Sequence, residues 1–245
     1  MKYVSLLVLL TAAYSAQAQR WEVSERAGGN LAWYGGPSAS ATSFINRSTQ
    51  GGVYRGDAYT NSPYGSRAGT GLGLGLRAAH VGKRGGLLAF DLGYDWQRTR
   101  TDIVKISNVD YSSQMQAATL QEYAATGCTY LHSQNVGLFV GGGRRFTLGA
   151  ARLDVLAGPE VTAVFSSRES GEGTYDNGRL WYTDMRRSPF GVDARLRADV
   201  TAWFNRFGLN ASYSQGFFNS QTGMVGASPQ SYGRVCRFGI AYRLN

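Results

Sequence analysis

The sequence contains few cysteines and histidines, and this scarcity excludes several kinds of reactive site. Its two cysteines, Cys128 and Cys236, are too few for a disulfide framework, and whether they pair stays open. No cluster of cysteine and histidine has the spacing of a metal site. Of the two histidines, only His132 is a candidate base, and nothing in the sequence orients an acid toward it. We therefore expect a non-enzymatic protein that binds no cofactor and no metal.

Long apolar runs are also missing after the first eighteen residues, so the rest of the sequence contains no candidate for a membrane-spanning helix. Residues 1–18, MKYVSLLVLLTAAYSAQA, have a basic start, a short apolar run and the small-x-small site Ala16-Gln17-Ala18. This pattern predicts a cleaved signal peptide followed by one exported domain over residues 19–245. Such a domain can cross a bilayer only as a closed β-barrel, because an open strand edge has no hydrogen-bond partner in lipid.

Lysine is scarce, and the excess positive charge is carried by arginine. The chain has 25 basic and 16 acidic residues, yet only Lys2, Lys83 and Lys105 are lysines. The basic residues do not cluster along the sequence, so we expect no nucleic-acid partner. Arginine forms fixed, multiply hydrogen-bonded ion pairs more readily than lysine, and this favours a network of paired charges.

What the sequence has in abundance is strict alternation of apolar with small or polar residues. In LLAFDLGYDWQ, residues 87–97, every second residue from Leu88 to Trp96 is apolar. A period of two is typical of a β-strand with one apolar face. The same pattern occurs in residues 70–81, 190–203 and 233–244, with softer copies in 24–34, 133–146, 153–165 and 207–218, which makes about eight strands.

The connections between these segments alternate in length. The short ones are residues 82–86, 145–151 and 205–208, and the long polar ones are residues 35–68, 104–131, 166–188 and 219–231. Asn177-Gly178 in the third long link predicts a hairpin with a two-residue tip. The rhythm predicts an all-β fold: an up-and-down antiparallel transmembrane β-barrel with short periplasmic turns and long extracellular loops.

Alternation alone does not say which face points inward, because a soluble lipocalin-like barrel has the same pattern turned inside out. The polar face here mixes glycine with arginine and aspartate, whereas a soluble exterior would carry lysine, glutamate and threonine. An eight-stranded barrel is only just wide enough for its interior to be filled by side chains. We therefore expect the polar face to line the interior and the apolar face to meet lipid.

The predicted inward-facing charges form the candidate site. Unpaired charges in a poorly hydrated interior cost several kcal/mol, so we expect salt bridges, hydrogen bonds or trapped water among them. A lumen filled in this way conducts poorly. The members of this structural charge network are Arg77, Asp91, Asp95, Asp154, Glu160, Asp193, Arg195, Arg197, Asp199, Arg237 and Arg243.

Aromatic residues fall near both ends of the predicted strands, as in the two aromatic girdles of membrane barrels. The loop-end group is Trp33, Tyr34, Trp96, Phe165, Phe217 and Phe218, and the turn-end group is Phe146, Phe204, Phe207 and Tyr242.

Three segments resemble the outer-membrane β-barrel (porin-like) family common in Bacteroidota. They are LDVLAGPEVTAVFSS (residues 153–167), FNRFGLNASYSQGFFN (204–219) and the closing GRVCRFGIAYRLN (233–245). The resemblance extends over essentially the whole mature chain. It implies a small barrel in the outer membrane, in a family whose members mostly lack an assigned activity.

The expected function is a structural or interaction role in the cell envelope, exerted through the long loops. The first link, residues 36–69, is rich in Ser, Gly, Tyr and Asn, a composition that binding loops use and that solvated surfaces share. Expected partners are outer-membrane lipid, lipopolysaccharide and other envelope proteins. The alternatives are a narrow channel for small solutes and a soluble periplasmic lipocalin-like binding barrel.

Overall fold

The computed structural model describes residues 20–50, 53–54, 58–111, 119–187, 191–221 and 230–245, and every regular element in these ranges is a β-strand. The predicted signal peptide lies outside them. No helix that is long and apolar enough to cross a membrane occurs in these ranges. The strands are β1 (Arg20–Gly35), β2 (Thr42–Gln50), β3 (Val53–Tyr54), β4 (Tyr59–Thr60), β5 (Arg67–Val81), β6 (Gly86–Tyr111), β7 (Thr119–Leu148), β8 (Ala151–Tyr175), β9 (Leu180–Arg186), β10 (Gly191–Phe204), β11 (Phe207–Gly216) and β12 (Tyr232–Arg243).

Eight of these strands form a closed ring. β1, β5, β6, β7, β8, β10, β11 and β12 each pair antiparallel with the next, and β12 pairs back onto β1. The predictions of an all-β fold and of about eight main strands are confirmed. Closure satisfies the backbone hydrogen bonds of both edges, which an open sheet would leave unpaired.

The two faces of the ring differ as the alternation predicts. Leu92, Leu196 and Ile240 are 51%, 54% and 62% exposed on the outside, whereas Asp193 and Arg195 are buried inside. Outward residues of neighbouring strands lie side by side and form what we call the apolar belt. Its largest members are Leu72, Leu74, Leu76, Leu92, Leu138, Val161, Leu196, Leu209, Phe238 and Ile240.

The short turns lie at one end of the ring, and two of the three fall where the sequence predicts. The β5–β6 turn occupies residues 82–85, and the β10–β11 turn is Asn205-Arg206, where Asn205 has a φ of 56°. The third differs from the prediction, since β7 continues through Arg145 to Leu148 and the turn is Gly149-Ala150. The strand continues because Arg145 keeps the alternation of inward and outward side chains, and its side chain points inward to Asp154.

At the other end of the ring, the strands continue into much of the sequence that was predicted to form loops. Both β6 and β7 extend beyond the ring, since β6 ends at Tyr111 and β7 begins at Thr119. The link predicted over residues 104–131 is therefore mostly a long hairpin. β8 and β9 form the hairpin predicted around Asn177-Gly178, but its tip has four residues, 176–179. The fourth long link falls partly outside the described residues.

The first link also departs from the loop prediction, because its residues 42–50 form β2. This strand pairs parallel with residues 102–111 of β6, beyond the point where β5 begins at Arg67. Ile45 is buried there against Ile106 and Trp181. We call this part, residues 42–60, 102–128 and 168–187 as far as they are described, the loop-side lobe. It has a small apolar core of its own.

Aromatic side chains are exposed near both ends of the apolar belt. Tyr34 is the exception among the predicted girdle residues, since it shares the inward parity of Asn30 and Ala32 and packs edge to face on Tyr64 at 5.0 Å. Trp21, 49% exposed at the turn end, joins the group without having been predicted. The other exposed members include Phe165, Phe217 and Phe218 at the loop end and Phe146, Phe204 and Phe207 at the turn end.

Candidate functional site

The interior of the ring holds seven arginines and seven carboxylates, which the alternation of seven strands directs inward. All eleven residues of the predicted network are among them. The arginines are Arg26, Arg77, Arg145, Arg195, Arg197, Arg237 and Arg243, and the acids are Glu22, Asp91, Asp95, Asp154, Glu160, Asp193 and Asp199.

Asp199 is the centre of the middle cluster. Its carboxylate lies 2.6 Å from Arg197 Nη2, 2.8 Å from Arg77 Nη1 and 3.0 Å from Arg26 Nη1. Asp91 accepts two 2.6 Å hydrogen bonds from the same Arg77 guanidinium, from Nε and Nη2. The pairs of Asp199 with Arg77 and Arg26 cross the interior from β10 to β5 and β1, and therefore link strands that are not neighbours.

A second cluster lies nearer the loop side and is organised by Arg237. Its guanidinium lies 2.7 Å from both Asp95 Oδ2 and Glu160 Oε1, and so joins β12 to β6 and β8. Ser214 donates a 2.6 Å hydrogen bond to the other oxygen of Glu160. Asn30 Nδ2 completes the group at 3.4 Å from Asp95 Oδ1.

A third cluster lies near the turns. Arg145 binds Asp154 through Nε at 2.6 Å and Glu22 through Nη2 at 2.8 Å. Trp203 Nε1 donates a 2.8 Å hydrogen bond to Asp154, and the Arg243 guanidinium stacks 4.4 Å above the Trp203 ring. Arg243 Nε also lies 3.1 Å from Glu22 Oε2.

Apolar side chains fill the space beside the middle cluster. Phe139 is buried with Ala89 and Leu156, and the Arg197 guanidinium lies 4.7 Å above its ring. The ring of Phe139 occupies the space over Gly141, where an added Cβ would lie 2.3 Å from Phe139 Cζ. One interior cavity, lined by residues such as Arg26, Arg197 and Arg237, measures about 70 Å³, room for roughly two waters.

This arrangement suits structural pairing rather than proton transfer. Each of the seven carboxylates has a guanidinium nitrogen within 2.8 Å. The pairing compensates the cost of burying the charges, and the planar guanidinium groups fix the distances between strands.

Three members of the network, Glu22, Arg26 and Arg145, are absent from the predicted set. Glu22 and Arg26 lie on β1 with the same parity as Ser24 and Asn30, so the alternation of that strand already indicated that their side chains point inward. Arg145 lies in the segment predicted to be a turn, so it was not counted among the inward residues of a strand.

Outside the network, His132 lies on the outer face near the loop end. Its Nε2 is 3.0 Å from Ser170 Oγ, and among the described residues no carboxylate forms a hydrogen bond with the imidazole. Burial, together with Arg98 and Arg168, lowers the pKa of His132. Asp184, an acid whose charge acts on His132, is bound by Arg168, and this hydrogen bond lowers the pKa of Asp184. Cys128 and Cys236 are free thiols on β7 and β12, which are not adjacent.

Substitution of Arg197 and Arg195 gives the first prediction. Arg197 contacts Asp199, Asp91 and the Phe139 ring, so Arg197→Ala should cost about 3 kcal/mol of unfolding free energy. Arg195→Ala should cost about 1 kcal/mol, because Asp193 keeps a hydrogen bond from the Phe218 amide. Thermal unfolding in detergent checks the order. Unchanged stability in both variants would mean that the network is hydrated and contributes nothing.

No protein-family model and no curated protein matches the chain. Among solved structures, the chain is similar to the crystal structure of Neisserial surface protein A, with a TM-score of 0.33 and 10% sequence identity. The match covers 92% of this chain and 99% of the Neisserial chain.

Proposed function

We propose that this chain is an integral outer-membrane β-barrel protein without enzymatic activity, which acts in the cell envelope through its loop-side lobe. One observation carries the proposal. The closed ring has its charged residues paired inside and its leucines exposed outside, the reverse of a soluble protein. An apolar surface as large as the apolar belt is unfavourable in water and favourable in hydrocarbon.

The soluble lipocalin-like alternative requires the opposite arrangement. Such a barrel would bind an apolar ligand between inward leucines and aromatic residues. Here the inward side chains are mainly charged or polar, and Leu74, Leu138 and Leu209 are each about 60% exposed on the outer face. The burial pattern therefore favours the membrane protein.

Membrane extraction tests the proposal. Membranes from cells that express the full chain are washed with alkaline carbonate and then with detergent. We expect the protein to resist carbonate and to be released by detergent, and to float with lipid vesicles after refolding. Release by carbonate together with failure to float would contradict the proposal.

The loop-side lobe is the part proposed to contact partners such as lipopolysaccharide and other envelope proteins. Its first link is attached to β8 through Glu169, whose side chain is fully buried. Glu169 Oε1 accepts hydrogen bonds from the amide and the hydroxyl of Thr60 at 2.7 and 2.6 Å, and Arg187 binds the other oxygen. A buried carboxylate saturated in this way holds the lobe in one shape, which suits a surface that binds other molecules.

The narrow-channel alternative gives the second prediction, which concerns conductance. Arg237 joins β12 to β6 and β8 across the interior, and Phe139 fills the space beside Arg197. We therefore expect the purified protein to produce no steady current in planar bilayers under conditions in which a large porin conducts. A steady open-state current from the wild-type protein would instead favour the channel.

A further inference from the structure

A cleft on the outer surface lies directly beyond the loop end of the apolar belt, between the wall of the ring and β9. It has a volume of about 840 Å³, within the range of small-molecule sites. Trp96 and Phe165 form its lower edge, so its floor continues into the apolar belt. We call this the rim cleft. If the apolar belt contacts the acyl chains of lipids, the rim cleft lies at the level of their headgroups.

The rim cleft and its surroundings carry a local excess of positive charge. Arg168 and Arg186 pair directly across β8 and β9, so two guanidinium groups of like charge lie side by side. Like charges in this position are unfavourable without a counterion. Asp184 binds Arg168, while Arg186 has no ion pair among the described residues. Arg98 lies nearby on β6 and, in the part of the chain that the structure describes, donates hydrogen bonds only to Thr70.

Aromatic residues hold Arg98 at the boundary of the belt. The Arg98 guanidinium lies 5.2 Å from the Trp96 ring and 5.6 Å from the Tyr130 ring, and His132 stacks on Trp96 at 5.8 Å. Tryptophan and tyrosine prefer the membrane interface, where an apolar body and a polar edge are both satisfied. The remaining polar lining includes Gln134, which can hydrogen-bond to hydroxyl groups.

We propose that the rim cleft binds the phosphorylated sugar headgroup of an outer-leaflet glycolipid, with Arg168 and Arg186 as the phosphate ligands. The guanidinium fork matches phosphate oxygens bidentately, and the serine and glutamine side chains supply partners for sugar hydroxyls. The volume favours a bulky glycolipid headgroup over the smaller headgroup of a phospholipid. This inference rests on the proposed position of the protein in the outer membrane.

The test is a binding measurement on the full mature protein refolded in detergent micelles. The probes are diphosphoryl lipid A, the same lipid with both phosphates removed, and phosphatidylglycerol, and native mass spectrometry reports the lipid retained. We expect one diphosphoryl lipid A per protein and at least about tenfold weaker retention of either other lipid. Equal retention of phosphatidylglycerol would contradict a glycolipid site.

Variants locate the binding. The double variant Arg168→Gln/Arg186→Gln should lose about tenfold in lipid A affinity, and Asp184→Asn should gain affinity because it frees Arg168. Arg144→Gln is the matched control, since Arg144 is an outward arginine beside an aromatic ring, Phe146, at the turn end. Wild-type affinity in the double variant, with folding verified by heat-modifiable gel migration, would overturn the inference.

The two proposals fail in different ways. A protein that floats with vesicles but does not discriminate between the lipids would refute the glycolipid site alone. A protein that does not float would refute the membrane position as well.

Discussion

Asp199→Ala is expected to lower the free energy of unfolding by about 3–5 kcal/mol, the largest effect of any single interior substitution. Asp199 is the shared counterion of Arg26, Arg77 and Arg197. Its removal leaves six interior carboxylates facing seven arginines, with three guanidinium groups close together and undercompensated. Urea unfolding of the protein refolded in lipid vesicles, followed by tryptophan fluorescence, measures the loss.

Two further variants make this prediction specific to charge balance. Asp184→Ala removes an exposed partner of Arg168 and should leave the unfolding free energy nearly unchanged, because solvent screens exposed ion pairs. Arg26→Met in the Asp199→Ala background removes one uncompensated charge. Within the described ranges, Arg26 forms one ion pair shorter than 3.5 Å, and its partner is Asp199. The double variant should therefore recover part of the lost stability. A double variant less stable than Asp199→Ala would mean that packing around Asp199, and not its charge, is what matters.

Leu92→Arg is expected to destabilise the protein in a bilayer by about 2–4 kcal/mol, because it places a charge on the outer face between Leu76 and Leu138. The same substitution on the exterior of a soluble protein would be nearly neutral. Urea unfolding in vesicles and the yield of folded, heat-modifiable protein both report the effect.

The matched control for Leu92→Arg is Leu180→Arg. Leu180 is 80% exposed at the start of β9, in the loop-side lobe and away from the apolar belt. Its replacement should change the unfolding free energy by less than about 0.5 kcal/mol. Equal effects of the two substitutions would argue that the apolar belt does not contact lipid.

The first link shows where sequence reasoning reaches its limit. Residues 42–50 lack a clean alternation, and their composition suggests a solvated loop. They form β2 because the extended part of β6, about sixty residues later in the chain, offers a free edge at Asp102 and an apolar surface for Ile45. No local pattern encodes a partner at that distance.

The faces of the ring, by contrast, were determined by the sequence. Successive side chains of a strand point to opposite sides, so the parity of Asp193, Arg195, Arg197 and Asp199 was fixed once the strand was recognised. The same parity placed Leu196 on the opposite face. The all-β fold class, the number of ring strands and eleven of the fourteen inward charges followed from this periodicity.

Only the tertiary structure decided which charges meet. Asp199 contacts Arg77 and Arg26, which are 122 and 173 residues away along the chain, because closure of the ring brings β10 opposite β5 and β1. The rim cleft likewise exists only because β9 lies beside β8 above the apolar belt. Alternation is a local property of the strand, whereas pairing across the interior depends on the register and the closure of all eight strands.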